Sequence, residues 1–197
     1  MLTSTYTLVT LSIEQASARI GLQSLLERWQ PGAWQHARPT PREVKLACDA
    51  LRVAFDNCYW RKLDKFVVPA LRRARAGDDA VAGLLAELDA LTLAAIEARA
   101  DAHAAAAVHD AGFGAALERC CNLLLERLER EERELFPLAR VHVPSEVWFA
   151  IANQMLVEDA WQNENRGYGP GQVAAGAMGR NPVKQSAVSS LPHYATH

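Results

Sequence analysis

Leu128-Glu129-Arg130-Glu131-Glu132-Arg133-Glu134-Leu135-Phe136-Pro137-Leu138 carries several structural signals at once. Leu124, Leu128, Glu131 and Leu135 step by three and four, so they share one face of a helix. A carboxylate, Glu131, therefore stands in an otherwise apolar row. Glu126 with Arg130 and Glu129 with Arg133 form i, i+4 pairs, the pattern of a solvated face. Pro137 comes late in this helix, where it removes a hydrogen bond and is expected to kink the last turn. An earlier segment, Phe66-Val67-Val68-Pro69-Ala70-Leu71-Arg72, echoes Glu134 to Arg140 with the proline in the same place.

The helical period extends through most of the chain. Leu8, Leu11, Gln15, Ala18, Leu22, Leu25 and Trp29 form one face of a first helix, which Pro31 and Gly32 end. Thr40 is the expected N-cap of a second helix starting at Pro41. That helix carries Cys48, Leu51, Phe55, Tyr59, Leu63, Phe66 and Ala70 and ends before Gly77. A third, from about Ala80 to Asp110, presents Val81, Leu84, Leu88, Leu91, Ala95 and Ala98, and Gly112 and Gly114 break it. The fourth adds Leu117 and Cys121 to the row above. A shorter fifth helix, Ser145 to Glu164, follows Pro144 with Val147, Trp148, Ile151 and Met155 on its apolar side. From Arg166 the chain turns to Gly, Ala, Ser and Pro and has too little apolar surface to offset chain entropy. No strand pattern competes. The expected fold is all-α: an antiparallel up-down four-helix bundle with a short trailing helix in residues 1–164, then an irregular tail in residues 165–197.

A chain of 197 residues suits one full-sized core. Hydrophobic residues make up 50% and charged residues 22%, a globular balance. The net charge of −2 gives no field for nucleic acid. Arg72, Arg73 and Arg75 cluster where they complement a helix end. No apolar run is long enough for a membrane span. Glu14 and Gln15 interrupt the mildly apolar N-terminus, which lacks a basic leader, so a cytoplasmic location is expected. Cys48, Cys58, Cys120 and Cys121 have no zinc spacing and read as reduced, mostly buried thiols. No phosphate loop or nucleophile elbow occurs.

The Leu128–Leu138 stretch resembles the fourth helix of hemerythrin-like cation-binding domains. Val143-Pro144-Ser145-Glu146-Val147-Trp148 resembles the entry to that family's trailing helix. Leu11 to Gln15 resembles its first-helix motif, and Lys62 to Leu71 its second helix. The resemblance runs from about Leu8 to Gln162 and implies two irons held by histidines and bridging carboxylates. At the implied ligand positions stand Gln15, Tyr59, Leu63, Leu88 and Arg127, none of them the family's donor, and only Glu131 is retained. Leucine cannot coordinate a metal and arginine repels one. The six histidines fall on none of these positions.

Two readings follow. In the first, no di-iron centre and no other cofactor is bound, and the chain is a non-catalytic regulatory or interaction module. Its partner is a second copy or another protein through an exposed helix face, not nucleic acid or membrane. Gln15, Tyr59, Arg127 and Glu131 then form a buried polar network in the vacated metal cavity, with Arg127 neutralising Glu131. In the second, an altered site of Glu131, Tyr59 and Asp64, with or without a tail histidine, binds iron or another metal and serves gas or iron handling. A small organic ligand in the emptied cavity is a further alternative.

Overall fold

A computed structural model describes residues 2–29, 39–59, 61–108 and 110–167. The expected helix end at Pro31-Gly32 and the expected irregular tail beyond 167 lie outside the described residues. Among those described, every regular element is helical. In order these are α1 (Leu2–Arg28), α2 (Pro41–Tyr59), a π-helical turn (Leu63–Val67), α3 (Val68–Ala74), α4 (Asp79–Ala107), α5 (Phe113–Arg130), a second π-helical turn (Glu131–Leu135), α6 (Phe136–His142) and α7 (Ser145–Gly167). The chain divides into two compact units, Met1–Leu156 and Val157–His197. Of the second, only the closing turns of α7 are described.

Local chemistry accounts for the helix starts. Thr40 and Glu43 form a reciprocal capping box: Glu43 N–H donates to Thr40 Oγ1 at 3.3 Å, and Thr40 N–H donates to Glu43 Oε2 at 2.7 Å. Asp78 caps α4 by accepting from the backbone N–H groups of Ala80 and Val81 at 3.0 and 3.2 Å. Between α3 and α4 the backbone turns through Gly77 at φ 85°, a left-handed conformation suited to glycine. Gly112 ends the α4–α5 turn, where its N–H donates to Asp110 Oδ1 at 2.6 Å. Gly114 is not a breaker: it lies buried in the first turn of α5.

Both prolines act differently from the expected terminal kink. Pro69 and Pro137 each stand second in a short helix that follows a π turn. A proline has no N–H to donate four residues back, and its ring crowds that carbonyl. The preceding residues widen instead to an i→i−5 pattern, with Val68 N–H donating to Leu63 O and Phe136 N–H to Glu131 O. The echoed sequence thus produces an echoed structure.

The second expected helix is also not continuous. It stops at Tyr59 and resumes at Lys62, and this break turns Arg61 to the inside. The last helix, at 23 residues, is longer than expected. Of the expected apolar faces, Leu8, Cys48, Phe66, Leu91 and Val147 are only half-buried.

Helix α4 packs most extensively on α5, α1 lies against α2 and α5, and α2 also meets α4 and α5. The buried apolar residues form two clusters. One gathers Leu22, Leu51, Phe55, Ala98, Leu117 and Leu128, and the other Leu11, Leu63, Leu88, Leu135, Phe136 and Trp148. Three chain segments cross from one cluster to the other at a polar residue. On α1 the crossing from Leu11 to Ala18 passes Gln15, after α2 that from Cys58 to Leu63 passes Arg61, and at the end of α5 that from Leu128 to Leu135 passes Glu131. The core is apolar at both ends with a polar layer between.

Candidate functional site

Glu131 is the centre of that layer. It opens the second π turn and is fully buried. Arg61 grips it with a two-pronged fork: Nη1 donates to Oε2 at 2.6 Å and Nη2 to Oε1 at 2.5 Å. Away from that fork, Arg61 Nε donates to the carbonyl of Cys58 at 2.7 Å. Such a fork fixes both partners in orientation as well as in charge. Gln15 Nε2 donates to Glu131 Oε2 at 2.7 Å, so its amide faces the carboxylate nitrogen-first. Arg127 lies one helical turn before Glu131 with Nε 3.1 Å from Oε1, not aligned as a hydrogen bond. Its Nη2 donates to Asp64 Oδ1 at 2.5 Å, and Asp64 Oδ2 lies 3.5 Å from Arg61.

Two guanidiniums and two carboxyl groups therefore share one layer, which removes most of the penalty an unpaired buried charge would carry. Burial by itself would lower the pKa of Arg61. The Glu131 charge, its hydrogen bonds and Asp64 outweigh this, and the guanidinium is held more firmly protonated than in water. Burial raises the pKa of Asp64 above its ordinary value, against the opposing pull of Arg127 and Arg61, with Glu131 pushing it further up.

This shift fixes the sign of a pH effect. A carboxyl whose folded pKa is raised binds its proton more tightly folded than unfolded, so its contribution to stability falls as pH rises. The stability of the wild type relative to Asp64→Asn is expected to decrease as pH rises from 3.8, the ordinary value, through the folded pKa. Urea titrations of both proteins across that window test it, and a difference that grows with pH contradicts it.

Outer ion pairs tie α1 to the same region. Lys62 Nζ lies 2.6 Å from Glu14, and Arg19 Nη2 donates to Glu132 at 2.8 Å. Glu129 pairs with Arg133 at 2.9 Å as the spacing suggests. Arg130 does not take Glu126: it pairs with Glu87 at 2.5 Å and Glu134 at 3.4 Å, because α4 supplies a closer carboxylate.

Of the positions singled out in the sequence, Gln15, Arg127 and Glu131 meet in one network, while Leu63 and Leu88 are buried in the apolar cluster on one side of it. The Tyr59 side chain lies outside the described residues. Arg61, the principal partner of Glu131, does not fall on the expected helical face. Asp64, a member of the alternative metal site, joins the network through Arg127. Cys58, Cys120 and Cys121 are buried free thiols, and burial pushes them up to about 11, 12 and 12.

The donor chemistry does not fit the di-iron centre implied by the resemblance. Both Glu131 oxygens are engaged by Arg61, Gln15 offers its amide N–H, and the two guanidiniums beside the carboxylate repel a dication. Among the described residues, no group of three or more His, Cys, Asp or Glu side chains could hold a metal ion. No described helix is long and apolar enough to cross a membrane. Compared with protein-family models, with curated proteins and with solved structures, the chain matches none.

Proposed function

We propose that this chain is a hemerythrin-like, antiparallel four-helix bundle in which a buried arginine–carboxylate layer takes the place of the dinuclear metal. On this reading it is a non-catalytic, cytoplasmic regulatory or interaction module. The observation that carries the proposal is the Arg61 fork on Glu131. Glu131 is the one implied ligand position that keeps its family residue, and a guanidinium saturates its carboxylate. Support for the bundle comes from three segments that switch apolar clusters at one polar level, and from the paired π turns. A cation at this level would be held against the combined charge of Arg61 and Arg127.

Metal analysis of untagged protein purified without chelators tests the reading. The expected result is no stoichiometric iron, zinc or manganese. A stoichiometric metal that disappears in Glu131→Ala would overturn it in favour of an altered metal- or gas-binding site.

A further inference from the structure

Helix α1 is apolar on two sides. Its inner row is Leu8, Leu11, Gln15, Ala18 and Leu22. A second row, Tyr6, Val9, Ile13, Ala16 and Ile20, has the same three-four spacing, displaced by two residues onto the outside. Every member of the outer row is exposed, Tyr6 at 57% and Ile13 at 66%. A three-four repeat is the seam by which helices pair, and a solvated helix face has no use for it. Other exposed apolar residues do not form such a row: on α2, Asp49 stands between Leu46 and Val53, and on α7, Asn153 stands between Phe149 and Leu156.

We infer that this outer row of α1 is a self-pairing surface, and that its occupant is the α1 helix of a second copy of the chain, running antiparallel. Electrostatics favour a copy over a charged partner. Thr5, Thr10, Ser12 and Ser17 flank the row without charge. The nearest charges on α1 are engaged within the chain, Glu14 by Lys62 and Arg19 by Glu132. A charged partner would find no counter-charge here, whereas an identical neutral row meets no repulsion.

Size complementarity sets the direction. Antiparallel pairing about a point midway between Val9 and Ile13 sets Tyr6 opposite Ala16 of the copy and Val9 opposite Ile13, so large faces small at each end. Parallel pairing would oppose Tyr6 to Tyr6 and Ala16 to Ala16. A cavity of about 160 Å³ lies beside Ala16 and Ile20, lined also by Ser12, Gln15, Arg19 and Glu132. It is a ready hole for the tyrosine. The apolar row offers roughly 400 Å², the scale of a single functional patch. That is smaller than the about 800 Å² per partner of a standard interface, which places the dimer among weak, reversible assemblies.

This surface deepens the reading as an interaction module by naming its partner, and its test is separate, since metal content and assembly are measured independently. Sedimentation of the full chain over a concentration series is expected to show reversible monomer and dimer. Ile13→Glu is expected to weaken the dimer at least tenfold while the melting curve stays near that of the wild type, because the side chain is exposed. In a Cys48→Ser background, a mixture of Tyr6→Cys and Ala16→Cys chains is expected to cross-link on mild oxidation, and neither chain alone. Three outcomes overturn the proposal. One is a monomer at every concentration, including the case in which residues 168–197 of the same chain cover the row. The others are a dimer indifferent to Ile13→Glu, and cross-linking of Tyr6→Cys chains to each other.

Discussion

Glu131→Ala is expected to lower the free energy of unfolding by about 3–5 kcal/mol, the usual cost of removing one partner from a buried ion pair. The loss arises less from the bonds themselves than from what stays behind. Arg61 is 5% exposed and Arg127 6%, so neither head group has water to replace the lost carboxylate. Without Glu131, Arg61 keeps only the Cys58 carbonyl at hydrogen-bond distance and Asp64 at 3.5 Å. For a protein of this size each kcal/mol corresponds to roughly 2–4 °C, so the melting temperature should fall by roughly 6–20 °C. Glu131→Gln keeps the shape and loses the charge, and it should fall between the alanine variant and wild type. The double variant Arg61→Met, Glu131→Leu separates net stabilisation from interdependence. Replacing both members by apolar residues of similar size is often neutral or stabilising by about 1–4 kcal/mol. A double variant more stable than Glu131→Ala alone shows that the pair is needed because each member is buried beside the other. An alanine variant within about 0.5 kcal/mol of wild type would mean that the layer admits water.

The polar layer is legible in the sequence only in part, for reasons that can be traced to particular residues. Gln15 and Glu131 interrupt rows of apolar residues at helical spacing, and such interruptions predict an inward polar group. Arg127 follows from Glu131 by the four-residue spacing. Arg61 is hidden because the helical period runs unbroken through Trp60 in the sequence, which places position 61 on the outer side of a continuous helix. The helix is interrupted at Arg61 instead, and an interruption changes which side chains point inward. A usable signal does exist. Glu131 needs more positive charge than Arg127 alone can align with it, and Arg61 stands three residues before Asp64, the spacing of a local pair. The prolines are legible as disturbances but not as π turns. Proline rules forbid a hydrogen bond without saying how the helix closes around the gap. The outer row of α1 is the reverse case: its spacing is plain in the sequence, but only the burial pattern tells which of two three-four rows faces the core.

The two apolar clusters are expected to tolerate change differently from the layer between them, and Trp148 gives the largest test. Trp148 sits near the start of α7 at 2% exposure, within the cluster that holds Leu11, Leu63, Leu88 and Leu135. Trp148→Ala is expected to cost about 3–5 kcal/mol, through lost transfer energy and the cavity left in a core that only partly collapses. The same residue carries a defect, because its indole Nε1 is buried and has no acceptor among the described residues. An unsatisfied buried N–H costs about 1–3 kcal/mol. Trp148→Phe removes that group while keeping a ring in place, so the penalty recovered offsets much of the packing lost, and the net cost should stay below about 1.5 kcal/mol. Urea unfolding of the two variants beside wild type measures both. A phenylalanine variant as damaged as the alanine variant would show that the indole N–H is satisfied in solution, by an acceptor the wild-type fold supplies and phenylalanine cannot use. The contrast with Glu131 is one of mechanism. At Trp148 the loss scales with volume and a smaller ring recovers it. At Glu131 it scales with charge, and full recovery needs the removal of Arg61 as well.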